Sequence, residues 1–329
     1  MDVNSMRTIG LTYDLRDDYL AQGFGEEETA EFDRLDTIEG IAGALTELGY
    51  ACERIGNVKS LVGCLCQGKR WDMVFNICEG LTGIGREAQV PAILDAYGIP
   101  YTFSDPLVLS LTLHKGLTKR VIRDLGIPTA DFFVAESPED AAANRLPFPL
   151  FVKPVAEGTG KGIYARSRVR NRRELEQTLM ELIPVFRQPA LVETYLSGRE
   201  YTVGIVGTGS DAEVLGAMEI LLEGDAEAGA YSFANKKNYE EVVRYRLASG
   251  AVAGECEKLA LAAWRGLGCR DGGRLDIRAD DSGKLFFLEV NPLAGLNPVH
   301  SDLPIICRLK GIPFVELIER IMTSAWKRA

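Results

Sequence analysis

Glu289 and Asn291 stand two residues apart near the end of the apolar run KLFFLEVN, and Asp276 follows Arg274 at the same spacing in GRLDIRAD. On a strand, residues two apart share a face. If the two runs pair as a hairpin, two carboxylates and an amide carbonyl converge beside a guanidinium. Such hard oxygen donors suit Mg2+, which needs only one or two carboxylates when phosphates and water complete its shell. A lone acid at a strand end is more often merely solvated, and it is the spaced trio that argues against that reading here. Pro292, Gly295 and Pro298 then break the strand and lead to Ser301.

A second set of residues suits phosphate. Lys153 sits near the end of LFVKP, and EGTGKG, Glu157 to Gly162, follows at once. Glycines at alternate positions let backbone N–H groups turn toward one point, as a phosphate cradle requires. The spacing is not that of GxxxxGK[ST]. A plain glycine turn is the alternative, and the strand-end lysine weighs against it. Glu193, near the end of ALVETY, could accept hydrogen bonds from an adenine amine or a ribose hydroxyl. Lys236 and Lys237 lie in a glycine-, alanine- and charge-rich segment, 223–238, of the kind that serves as a lid over a reacting centre. Glu79 and Glu87 flank the turn after MVFNIC, where acids are more often only exposed.

The elements that must position these groups follow from periodicity. RTIGLTY and MVFNIC read as short buried strands, and helices are expected over 37–49 and 89–97. That alternation predicts an α/β layer with a mainly parallel sheet, whose ligands gather beyond the carboxyl ends of the strands. The acidic interval 14–36 shows no clear period and is expected to be a mobile loop followed by the start of the helix. From Ser110 to Leu125 the pattern is helical, and a second unit begins near there. Further strands are expected over 150–154, 190–195 and 214–220, an amphipathic helix over 251–267, and a closing helix over 314–326.

With 329 residues, 46% of them hydrophobic, the chain can bury more than one core. A formal charge of -10 argues against nucleic acid or an anionic membrane as partner. No apolar run approaches the roughly 20 residues that span a bilayer. The seven cysteines form an odd set with no CxxC pair, and no secretory signal precedes the first strand, so reduced thiols and a cytoplasmic location are expected. With only two histidines, a zinc centre or a His-centred triad has few parts available.

Taken in order, Lys115, LFVKP, EGTGKG, ETYLSGREYTV, GRLDIRAD and FLEVNPLAGLNPVHS resemble the ATP-grasp ligases, and within them the D-alanine:D-alanine ligases, over about residues 95–320. The resemblance implies an ATP-grasp fold: an amino-terminal Rossmann-like α/β domain (1–108), then α+β grasp domains over 109–189 and 190–329. ATP would be gripped between the last two sheets. It further implies that Lys115 and Lys153 contact the nucleotide phosphates, with Glu157 and Gly160 in the glycine loop. Glu193 and Leu196 would border adenine, Glu200 would hold the ribose, and Lys236, or Lys237 beside it, would lie near the γ-phosphate. Asp276, Glu289 and Asn291 would hold two Mg2+ ions, or Mn2+ in their place. Arg274 and the Gly295 N–H would stabilise a tetrahedral intermediate, and Ser301 would receive the carboxylate of the second amino acid. Small-molecule amino-acid or peptide substrates and a homodimer built through the amino-terminal domain are also implied.

The departures concern the first substrate. The family's amino-terminal glycine-rich loop with its glutamate is replaced by TYDLRDDYLAQGFGEEE, with Asp17 and Glu26 both left as substitutes. CEG stands for LHG, putting Glu79 where a substrate-contacting histidine is expected. Thr159 and Gly160 replace two serines, and one extra residue separates Gly295 from His300. The expected activity is therefore ATP-dependent carboxylate–amine ligation through an acyl phosphate, with altered substrates. An unaltered D-alanine:D-alanine ligase, a kinase that stops at the phosphorylated substrate, and a silent nucleotide-binding module are the alternatives.

Overall fold

The computed structural model describes residues 6–222 and 243–329. In chain order the elements are β1 (Thr8–Thr12), α1 (Arg16–Ala21), α2 (Leu35–Glu47), β2 (Ala51–Gly56), α3 (Val58–Cys66), β3 (Met73–Asn76), α4 (Gln89–Tyr97), α5 (Pro106–Leu113), α6 (Lys115–Asp124), β4 (Phe132–Ala135), β5 (Leu150–Pro154), β6 (Arg168–Val169) and α7 (Arg172–Phe186). They continue as β7 (Ala190–Thr194), β8 (Glu200–Val206), β9 (Glu213–Leu222), β10 (Val243–Leu247), α8 (Gly250–Leu267), β11 (Gly272–Ala279), β12 (Leu285–Asn291), α9 (Asp302–Leu309) and α10 (Phe314–Trp326).

These strands make three sheets. The first is parallel, in the order β2-β1-β3, as the alternation of strands and helices predicts. The second, β4-β7-β5-β6, and the third, β10-β9-β8-β11-β12, are antiparallel. β7 opens the unit expected over 190–329, yet it pairs with β4 and β5, so the break between these two sheets falls after Thr194. A strand's partners lie outside its own sequence, so periodicity could not show this.

The first sheet shares a core with the end of the chain. Ile9, Leu11 and Phe75 are buried in one cluster with Leu303, Ile306, Leu317 and Ile321 of α9 and α10. Each fully buried side chain of this size contributes on the order of 2 kcal/mol, so the cluster ties the first and third sheets into one body. Behind the third sheet, Trp264 of α8 packs on β11 with no exposed surface. There a Cβ on Gly273 would come within 2.8 Å of the indole and 2.5 Å of the Asn291 carbonyl. Only glycine lets β11, α8 and the end of β12 approach this closely.

Two local expectations change. The stretch expected as one helix from Ser110 breaks at His114, whose Nδ1 accepts from Leu117 N at 3.2 Å and so caps α6. The break turns the Lys115 N–H to Val155 O at 2.9 Å, anchoring α6 to the segment just after β5. The interval 14–36, expected to be a mobile loop, is ordered instead. It holds α1, buries Tyr19, Thr29 and Phe32, and its backbone pairs Asp33 with Asp14. Its order comes from contacts with distant elements, and a lack of local period does not exclude those.

Candidate functional site

The hairpin inferred from spacing forms. β11 and β12 pair antiparallel, with Asp276 opposite Glu289 and Arg274 opposite Asn291. β8 supports it from the other side, where Thr202 Oγ1 donates to Asp276 Oδ1 at 2.8 Å. Arg274 Nη1 donates to Asp276 Oδ2, and Asn291 Nδ2 lies 3.4 Å from the same oxygen. Arg274 Nε also faces Asp302 Oδ2 at 3.6 Å. Amide orientation is set by neighbours, so rotating Asn291 would turn its carbonyl toward the carboxylates. Among the described residues no three of Asp, Glu, His and Cys cluster as a metal cage. The donor set is two carboxylates and one amide, all hard oxygens, which fits a cation that draws its remaining ligands from phosphates and water.

Three cavities meet at this hairpin, and Arg274 lines all of them. The first lies between the second and third sheets and is lined by Lys153, Gly160, Glu193, Leu196 and Glu200, with Asp276 and Glu289 at its inner end. Here Glu193 is clasped by two ammonium groups, Lys119 Nζ at 2.7 Å and Lys153 Nζ at 2.9 Å. Burial alone would raise the Glu193 carboxyl, but the two lysines outweigh it and hold it down at about 2. Glu200 faces Arg278 at 3.2 Å.

The second cavity opens on the other side of Glu289 and is bounded by Lys115, Gly158, Thr159, Asn291 and Gly295. Lys115 Nζ donates to the Glu157 carbonyl and lies 3.7 Å from Glu289 Oε2. The Glu157 carboxylate turns back into the glycine loop, pairing with Lys161 and accepting from Gln188 Nε2 at 2.7 Å. Glu31 reaches in from the first unit. Its Oε1 accepts from Gly158 N at 2.6 Å, and its Oε2 meets Arg86 Nη2 at 2.9 Å and Lys161 Nζ at 2.8 Å. Burial opposes ionisation of Glu31, but Arg86 and Lys161 outweigh it and hold the carboxyl at about 2.

Glu79 and Glu87 line the same cavity. Burial pushes both upward, Glu79 well above the usual range with Glu87 and Glu31 adding to the rise, and Glu87 to about 7 despite Arg86.

The third cavity runs on from Gly295 to Asn297, His300 and Ser301, with Arg16, Asp33 and Arg34 on the opposite wall. Ser301 Oγ accepts from Asn297 N at 3.0 Å, and Asn297 Nδ2 donates to Thr37 Oγ1 at 3.0 Å, joining this loop to α2. Asp33 is pushed up to about 8, by burial first and then by Asp14 and Asp36.

The sequence model described as D-ala D-ala ligase C-terminus matches residues 121–323. The chain belongs to the D-alanine–D-alanine ligase family. It is thus one of a family of ATP-dependent ligases that form carbon–nitrogen bonds. A D-alanine–D-alanine ligase of Actinobacillus pleuropneumoniae serotype 5b is 31% identical over 314 residues, covering 94% of this chain and 98% of that protein. An uncharacterized protein, y4sG, of Sinorhizobium fredii is 33% identical over 264 residues, covering 78% of this chain and 75% of its own length. Among solved structures, the D-alanine–D-alanine ligase of Bacillus anthracis complexed with ATP superposes with a TM-score of 0.75 at 22% identity, covering 99% of this chain and 98% of that one. That likeness carries the ATP-grasp fold.

Within this family frame, fourteen residues were expected at the site, and the described ones among them gather around the three cavities. Lys236, like its neighbour Lys237, lies outside the described residues. Of the two acids left as substitutes for the missing amino-terminal glutamate, Asp17 is exposed on α1 and Glu26 lies on the wall of the third cavity. The acid that reaches the glycine loop is Glu31. Nothing in its local sequence marks it, since it stands in an aperiodic acidic stretch. Arg86, Lys119 and Lys161 were also missed. Lys161 had a signal, being a lysine four residues after Glu157 inside the glycine run, and Lys119 had one in lying a helical turn after Lys115.

Proposed function

We propose that this chain joins two amino acids, or an amino acid and a short peptide, by ATP-dependent ligation, and that its first-substrate pocket differs from that of a D-alanine–D-alanine ligase. The observation that carries the reading is the meeting of three cavities at Arg274. Nucleotide, acyl donor and amine acceptor need one shared reacting centre. A kinase needs no third cavity, and a silent binder needs no converging carboxylates.

ATP would lie in the first cavity, with adenine beside Glu193 and Leu196 and the ribose at Glu200. The phosphates would run past Lys153, Gly160 and Lys115 toward Lys236. A carboxylate oxygen of the first substrate attacks the γ-phosphorus, the bond to the β-phosphate oxygen breaks, and ADP leaves an acyl phosphate behind. The lysines offset charge on the transferring group, since catalysis of this step is mostly positioning and electrostatics. Asp276, Glu289 and Asn291 would hold Mg2+, two ions on the family pattern, which when bound neutralises phosphate charge. The amine of the second substrate, its carboxylate received at Ser301, then attacks the acyl carbon and expels phosphate. Arg274 and the Gly295 N–H would take the developing oxyanion, and losing one such donor costs about 3 kcal/mol, roughly a hundredfold in rate.

The altered pocket rests on Glu79 and Glu87. They face the second cavity, while Arg86 is occupied by Glu31 and by the Ala156 carbonyl at 2.8 Å. A first substrate carrying an extra ammonium group would give these acids a cation beyond the partial compensation from Arg86. Phosphate release is measured across D- and L-amino acids, singly and in pairs, with mass detection of the condensed product. A diamino donor should be preferred over alanine, and Glu79→Gln should erase that preference. An unchanged preference would overturn the role of Glu79, and a wild-type chain that prefers alanine would leave the second reading, a true D-alanine–D-alanine ligase, which the relative covering 94% of the chain favours. ADP release that needs no amine and yields no amide would mean a kinase.

A further inference from the structure

We propose that Lys119 is a positioning residue of the nucleotide site, neutralising Glu193 from behind so that the charge of Lys153 stays available to the phosphates. The inference rests on the assignment of the first cavity to ATP.

Lys119 is fully buried and lies one helical turn after Lys115, so α6 directs two lysines toward the site from one face. It does not line the cavity, whereas Glu193 and Lys153 do. Its ammonium meets Glu193 Oε2 at 2.7 Å and lies over the Phe132 ring, 5.6 Å from the ring centroid. A fully buried ammonium is costly to keep even when it is paired with a carboxylate. A charge kept in such a place calls for a role that the charge itself performs.

Summing the charges supplies that role. Lys119, Glu193 and Lys153 together carry one net positive charge, held between β5, β7 and α6. An ionised Glu193 is the stronger acceptor for an adenine amine, but its charge also opposes the binding of phosphates next to it. With Lys119 present, the two ammonium groups exceed the charge of Glu193 by one. Without it, Lys153 and Glu193 form a neutral pair, and the attraction of this part of the cavity for a polyanion weakens.

The test is calorimetric binding of ATP with saturating Mg2+, and of adenosine, to the full chain. The quantity read is the ratio of the adenosine Kd to the ATP Kd, which isolates the phosphates from the base. Lys119→Met should lower this ratio at least tenfold, as expected for one unit charge lost several ångströms away at an effective dielectric of about 20. The double variant Lys119→Met with Glu193→Gln restores one net positive charge and should restore the ratio, even though its adenosine affinity falls. A lysine that is only structural would lower the melting temperature and leave the ratio unchanged, and that result overturns the proposal. If Lys119→Met does not fold, Glu193→Gln alone carries the test. It raises the net charge by one and should raise the ratio, and an equal or lower ratio overturns the proposal. A wild-type chain that does not bind ATP more tightly than adenosine would overturn the nucleotide assignment itself, and the role of Lys119 with it.

Discussion

Replacing Glu31 by glutamine removes one negative charge and turns one of its two acceptor oxygens into an N–H donor. The carboxylate is 7% exposed and meets two cations, Arg86 at 2.9 Å and Lys161 at 2.8 Å. Its pKa falls from 4.5 to about 2, and each unit is worth about 1.4 kcal/mol, so its ionised form adds about 3 kcal/mol of stability. Breaking one partner of a buried pair costs about 3 to 5 kcal/mol, an independent figure of the same size. Glu31→Gln should therefore lower stability at neutral pH by about 3 kcal/mol, read as a fall in melting temperature of about 4 °C in scanning calorimetry. The sign of the pH dependence follows from a lowered carboxyl pKa: the contribution is complete above about 4.5 and disappears as pH drops through about 2. The difference between wild type and variant should shrink over that window. Function should suffer as well, because Glu31 also holds Gly158 N at 2.6 Å at the start of the glycine loop, and the KM for ATP should rise. A loss of less than 1 kcal/mol, or a difference that persists unchanged at pH 2, would refute the picture of one carboxylate shared by two buried cations.

Asp276→Asn and Glu289→Gln should each lower ATP-dependent phosphate release by at least about a hundredfold, and a chelator should abolish it in the wild type. Retained activity after either treatment would remove the metal from the reading. Glu87 titrates at about 7, so its carboxyl is neutral below that pH and ionised above it. The KM for a diamino first substrate should accordingly fall between pH 6 and 8, and Glu87→Gln should flatten the profile. An identical slope in the variant would assign the titration to another group.

Periodicity and residue spacing made the chemistry legible because its parts are local. Glu289 and Asn291 share a strand face whatever surrounds them, Arg274 and Asp276 do the same, and a lysine before a glycine run is read as a candidate phosphate feature from neighbouring residues alone. The helices over 89–97 and 314–326 have the bounds their patterns indicate, since an amphipathic stripe and a terminating glycine or proline are read from neighbours in sequence. The break at His114 was not visible, because the cap that makes it stable uses a side chain that reads equally well as helix interior.

What the sequence alone determined about this protein is thus the set of strand tips, the glycine loop and the order in which they occur. Only the tertiary structure decided that Glu31, 127 positions before Gly158, would hold the glycine loop. It also decided that Lys119 would stand behind Glu193 and that β7 would join the middle sheet. Each of these depends on a contact between residues far apart in the chain. A hydrogen bond or ion pair of that kind leaves no period in the sequence, because its energy depends on distance in space and on burial, and both are fixed only when the sheets pack.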